Sequence, residues 1–231
     1  MTCKVVAFAN GGKCGSTTLA MLLKHRYPDY EAYDPASAFE DSPKEVCGHE
    51  YTCRLRPFYL DACPKVMTDE RMKRLYRYDP NASIVVFVRP QHMSLLSLYN
   101  DKASSGVHSE DSDAWVLRNR NNQAYNYTDT FLRSSHVFRN IIVVETQDLR
   151  SDEGTARVLS KIAETRGFPP LRSRSIVSNP SLVDNRHTQS FLTQTTVDTI
   201  KKHWMSTNTV LCRLVQLRHF DCDANTHRVE L

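Results

Sequence analysis

Three short stretches of this chain are apolar almost without interruption: Val5–Ala9, Ser83–Val88 and Ile141–Glu145. Runs of this length, rich in Val and Ile and lacking polar alternation, predict strands buried on both faces, as in a parallel sheet. Between and after them the spacing becomes helical. Leu19, Leu22 and Leu23 share one face over 16–26, and Tyr27-Pro28-Asp29 ends that helix. A second helix is expected over 68–78, with Thr68 as its cap and acidic residues in its first turn. Others are expected at 91–102, 125–136, 152–166, 195–205 and 208–217. Residues 29–66 read as a long irregular segment with one short strand at 30–33, and 106–127 as a polar, mobile one. Strands alternating with helices define an α/β chain, a single domain over 1–231 with a central parallel β-sheet flanked by helices. Ligands of such sheets bind at the C-terminal strand ends, so Asn10–Gly15 and Arg89 are expected to lie close together.

The first strand runs straight into Asn10-Gly11-Gly12-Lys13-Cys14-Gly15-Ser16-Thr17-Thr18-Leu19. Glycines let backbone N–H groups turn toward a ligand, and the helix start adds partial positive charge. Lys13 adds a full charge, and Ser16, Thr17 and Thr18 add hydroxyls. This is a strand–loop–helix for an anion, with Gly12, Lys13, Cys14, Gly15, Ser16, Thr17 and Thr18 as the candidate phosphate contacts. Nucleoside-triphosphate loops read G-x-x-x-x-G-K-S/T, with lysine after the last glycine. Here the lysine comes two residues before it, which argues against that class.

A second candidate anion site begins where the next apolar run stops. Arg89 ends a strand, and Ser97 follows eight residues later, two turns along the next helix. A guanidinium fork suits a phosphate, and a serine hydroxyl can donate beside it. By itself a strand-end arginine is as readily a salt-bridge partner. Together with the first loop it makes two anion sites on one sheet edge, the spacing expected of a ligand with two separated phosphate groups.

Composition narrows this picture without changing it. The 231 residues are 40% hydrophobic and 24% charged, ordinary for a globular protein able to bury a core. The formal charge of +4 and nine histidines suit an anionic ligand, and no Lys/Arg block is long enough to track a nucleic-acid backbone. No window approaches the roughly 20 apolar residues of a membrane span, and residues 1–9 make no signal peptide. Seven cysteines leave at least one unpaired. Cys212 and Cys222 are placed to bridge, which would argue for an oxidising compartment. Cys47, His49, Cys53 and Cys63 match no common zinc spacing, so no metal is expected.

On these motifs the sequence resembles sulfotransferases that use 3′-phosphoadenosine 5′-phosphosulfate (PAPS), closest to the carbohydrate, heparan-sulfate-type branch. The family's 5′-phosphosulfate loop reads K-x-G-S/T-S/T-x-L, as does Lys13–Leu19. Its 3′-phosphate motif has Arg, then Ser eight and Tyr ten residues on, matched by Arg89, Ser97 and Tyr99, although here Pro90 follows the arginine directly. Arg56-Pro57-Phe58-Tyr59-Leu60 is similar to its T-P-x-Y segment, and Glu145–Leu149 to an acidic-Leu turn after its third strand. The resemblance implies transfer of a sulfuryl group from PAPS to a hydroxyl, or an amine, of a carbohydrate or small-molecule acceptor, with no metal. It implies that Lys13 stabilises the bridging oxygen and that a loop glutamate, Glu45 in Lys44-Glu45-Val46, is the base, with His49 its rival. A nucleotide-binding pseudoenzyme and a P-loop kinase are the alternatives. A cytoplasmic location is expected for the chain as written, and the Golgi lumen if it is the catalytic part of a longer precursor.

Overall fold

The computed structural model describes residues 4–10, 12–26, 31–33, 58–61, 67–106, 110–167, 190–220 and 222. Its centre is a five-stranded sheet in the order β2-β3-β1-β4-β5, with every neighbouring pair parallel. The strands are β1 (Lys4–Phe8), β2 (Glu31–Tyr33), β3 (Phe58–Asp61), β4 (Ser83–Val88) and β5 (Asn140–Glu145). The helices are α1 (Ser16–Arg26), α2 (Asp69–Tyr78), α3 (Gln91–Ser104), α4 (Ser112–Arg118), α5 (Tyr127–Val137), α6 (Asp152–Arg166) and α7 (Gln194–Leu214). The α/β architecture expected from the alternation of patterns is therefore present.

Each apolar run forms a strand because helices cover both of its faces. On one face Val6, Phe8, Val85, Phe87, Ile142 and Val144 pack with Leu19 and Leu23 of α1, Leu95 of α3 and Leu159 and Ile162 of α6. On the other, Val5, Ala7, Ile84 and Val86 pack with Met72 and Leu75 of α2 and with Phe138, just after α5. All six residues of β4 are buried, so none of its positions is left to be polar for solvent. Phe8 and Phe87 meet edge to face at 4.9 Å, and each such burial contributes about 1.5–3 kcal/mol. Arg71 of α2 ties two strand ends together: its Nε donates to Asp61 at the end of β3 at 3.1 Å, and an Nη to the Phe8 carbonyl at 3.0 Å.

Three local expectations are corrected. Strand β3 lies inside the segment read as irregular, because a four-residue strand ending in a buried, arginine-paired Asp61 carries too little pattern to register. The polar 106–127 stretch holds α4 and a 3-10 turn over Gln123–Tyr125, seated by fully buried Trp115, Tyr125 and Tyr127. Asp111 caps α4 by accepting from the Ala114 amide at 3.1 Å. Finally, the two C-terminal helices are one. The hydroxyl-rich stretch 206–209 is accommodated within the helix: Thr207 and Thr209 donate back to the carbonyls of Trp204 and Met205, and Asn208 is taken up by Gln91 of α3. The Cys212–Cys222 bridge does form, with Cα atoms 5.8 Å apart. Among the described residues no helix is long and apolar enough to cross a membrane.

Candidate anion-binding site

The strand order places a break in direction at the centre of the sheet. From β1 the chain builds β2 and β3 on one side, then returns past β1 to build β4 and β5 on the other. Crevices at such switch points, beyond the C-terminal strand ends, are where open α/β sheets bind ligands. The segment after β1 and the segment after β4 flank this one.

Asn10 fixes how the chain leaves β1: its side chain donates to the Phe87 carbonyl at 2.9 Å and accepts from the Phe87 amide at 2.8 Å. The loop then turns through two left-handed residues, Lys13 (φ 59°) and Gly15 (φ 91°). A Cβ at Gly15 would lie 3.0 Å from Leu149 Cδ1 and 3.5 Å from Thr146 Cγ2, so close packing reinforces what the backbone angle already demands.

Four successive carbonyls of the loop are engaged by the protein. Cys14 Sγ reaches Gly12 O at 3.3 Å, Arg89 Nη1 donates to Lys13 O at 2.7 Å, Thr146 Oγ1 to Cys14 O at 2.7 Å, and the Leu19 amide to Gly15 O at 3.0 Å. The amides of Lys13, Cys14 and Gly15, by contrast, donate to no described residue. With its acceptors tied inward, the loop keeps its donors for something else. Helix α1 has no acidic residue in its first turn to neutralise that end.

Cys14 is the peg that holds the loop down. Its thiol is fully buried, 3.5 Å from Ser94 Oγ and 3.5 Å from Tyr127 OH, which are 3.2 Å from each other. Burial pushes the thiol above its ordinary value, outweighing the hydrogen bonds and the Arg89 charge that lower it, so it is neutral and inert as a nucleophile. Burial likewise holds Tyr127 well above the usual phenol range.

Arg89 carries the second half of the site. Burial and, to a smaller degree, the like charge of Arg150 lower its pKa, yet a guanidinium stays charged at neutral pH. Its Nε is buried with no hydrogen-bond partner. Arg89 borders a cavity of about 270 Å³ at the ends of β4 and β5, shared with Pro90, Thr146, Arg150, His219 and Phe220. The wall carrying His219 and Phe220 belongs to the segment after α7. That segment is fastened by the Cys212–Cys222 disulfide and by Glu145, whose two carboxylate oxygens accept the Arg218 and His219 amides at 2.6 and 2.7 Å. Glu145 is thereby consumed as an anchor.

The structure brings Lys13, Cys14, Gly15 and Ser16 together with Arg89. Gly12, Thr17 and Thr18 belong to the same loop and helix start, Thr17 exposed and Ser16 buried. Ser97 is half-buried on α3, does not line the Arg89 cavity, and makes no hydrogen bond to a described residue. One turn further along α3, Asp101 holds the Lys13 ammonium at 2.5 Å. Tyr99 is committed to packing, with its hydroxyl on the Glu110 carbonyl at 2.6 Å. Glu45 and His49 lie outside the described residues, and within those residues no cluster of three His, Cys, Asp or Glu side chains is placed to hold a metal. Sequence reasoning missed Ser94, Asp101, Tyr127 and Thr146. Of these only Asp101 had a usable signal, its position four residues after Ser97 on one helix face. No protein-family model matches the chain, and no curated protein matches it either.

Proposed function

We propose that this chain is a sulfotransferase that moves the sulfuryl group of PAPS to a hydroxyl, or an amine, of a carbohydrate or small-molecule acceptor. One observation carries the reading: a loop whose carbonyls are tied, and whose Lys13, Cys14 and Gly15 amides donate to no described residue, lies against an arginine with an unpaired, buried Nε. Two anion-binding groups on adjacent strand ends fit a ligand with two separated phosphate centres. The residues present fit PAPS in kind. Amides of residues 13–15 and the start of α1 would hold the 5′-phosphosulfate, and Arg89, with Ser97 as its partner in the motif, the 3′-phosphate.

In the transfer, the acceptor oxygen forms a bond to sulfur as the bond from sulfur to the 5′-phosphate oxygen breaks. The acceptor's proton passes to a base, and 3′-phosphoadenosine 5′-phosphate leaves. Lys13 neutralises charge growing on the leaving oxygen, and Glu45 takes the proton, with His49 as the rival base. The formed disulfide favours an oxidising compartment such as the Golgi lumen over the cytoplasm.

The test has two parts. Thermal shift with 3′-phosphoadenosine 5′-phosphate against ATP–Mg²⁺ separates this reading from a kinase: stabilisation by the bisphosphate alone supports it, and stabilisation by ATP–Mg²⁺ alone sinks it. Transfer of radiolabelled sulfate across a panel of saccharide and small hydroxyl acceptors then separates an enzyme from a protein that only binds the nucleotide.

A further inference from the structure

Lys13 is held against α3 at two points. Arg89, just before the helix, takes its carbonyl at 2.7 Å, and Asp101, near the helix's C-terminal end, takes its ammonium at 2.5 Å. The charge named as the loop's main attraction for an anion is therefore already paired with a carboxylate. The pair is reversible by construction, since the Lys13 side chain is 30% exposed and that of Asp101 49%. Ion pairs this open to water exchange partners at little cost.

The surroundings of the loop are rich in positive charge. The Lys13 carbonyl is bonded to Arg89, and Arg89 feels the like charge of Arg150, so two guanidiniums stand beside the loop that carries the Lys13 ammonium. Like charges in a partly desolvated site repel, and a carboxylate beside Lys13 draws its ammonium along α3, away from the two guanidiniums. From this arrangement we infer that Asp101 is a positioning residue that competes with an anionic ligand for Lys13: it holds the ammonium along α3 and yields it to a doubly charged phosphate or phosphosulfate group. The inference rests on the phosphosulfate reading only for the identity of the natural ligand. The exchange itself follows from the ion pair.

The consequence is that Asp101 competes with the ligand. Removing its charge should tighten anion binding, the opposite of what loss of a merely structural contact would do. The experiment is calorimetric titration of the full chain with 3′-phosphoadenosine 5′-phosphate and, separately, with inorganic pyrophosphate, at low and high salt. Asp101→Asn is expected to bind both about three- to fivefold more tightly than wild type at low ionic strength, the gain shrinking as salt screens the charges. Asp101→Glu should return to near wild-type affinity, and in a Lys13→Gln background Asp101→Asn should give no gain, because the two residues act as a pair. Unchanged or weaker binding by Asp101→Asn overturns the inference, as does a gain that persists without Lys13. Asp101→Ser repeats the comparison should the asparagine variant fail to fold. If wild type binds pyrophosphate but not the bisphosphate nucleotide, the sulfotransferase reading falls while the pyrophosphate titrations still decide the role of Asp101. If wild type binds neither, both fall.

Discussion

Lys13 sits in a left-handed conformation that costs a residue with a Cβ roughly 1–2 kcal/mol, and it stays there because Arg89 and Asp101 hold its two ends. Charge, not backbone, is what the lysine adds, so Lys13→Ala should leave the fold intact and abolish sulfuryl transfer. Near-normal turnover in that variant would remove the mechanism proposed for it. Arg89 differs in having both a structural bond and an unused one. Arg89→Ala is expected to weaken 3′-phosphoadenosine 5′-phosphate far more than adenosine 5′-phosphate in side-by-side titrations, by 10-fold or more for a lost charge-assisted bond. Equal losses would mean that the arginine only props up the loop. For the base, Glu45→Gln should lower turnover while nucleotide affinity holds, and full activity would move the role to His49. The anion loop and Arg89 were legible in the sequence because each is a local string with its own chemistry. The residues that hold them were not, since Ser94, Asp101, Tyr127 and Thr146 act through packing between elements and belong to no string.

Among the elements, those with an unambiguous period were legible to the residue: α1 begins and ends where its leucine face and Tyr27-Pro28 place it, and β4 spans the apolar run. The failures share a physical cause. Strand β3 and helix α4 are shorter than the windows in which periodicity declares itself, and both are held by long-range partners, Arg71 for one and the Trp115 pocket for the other. Helix α7 was split in sequence because its hydroxyl residues look like a loop until their oxygens are seen bonded back along the helix. Among the described residues, the segment after α7 is held by a covalent tie. Closing a separation of 10 residues, the Cys212–Cys222 bond contributes about 2–3 kcal/mol by chain-entropy reasoning. Cys212→Ser should lower denaturant stability by about that amount. It should also speed amide exchange at Arg218 and His219, the donors to Glu145, and unchanged exchange there would show that the segment holds its place without the bridge.

Taken whole, the molecule puts its switch point between β1 and β4 and builds the candidate site from four directions: the loop after β1, the start of α3, the turn after β5, and the segment beyond α7. A ligand bridging these parts stabilises all of them together. At a concentration of 100 times its dissociation constant, 3′-phosphoadenosine 5′-phosphate is expected to add about 2.7 kcal/mol to unfolding, read as a concentration-dependent rise in Tm. A Tm indifferent to that nucleotide up to millimolar concentration would count against the whole arrangement. The parallel architecture followed from the pattern of apolar runs, but the order of the strands did not, because order is set by which crossover packs over which face and no single segment encodes it.

The pegs of the anion loop also set a timetable. Arg89, Ser94, Tyr127 and Thr146 stand 76, 80, 113 and 132 residues further along the chain than the loop groups they hold. Ribosomes add about 5–20 residues per second, so the loop, once made, waits on the order of ten seconds for its last peg. The part of this protein that is easiest to recognise in the sequence is thus completed only by a residue 132 positions further on.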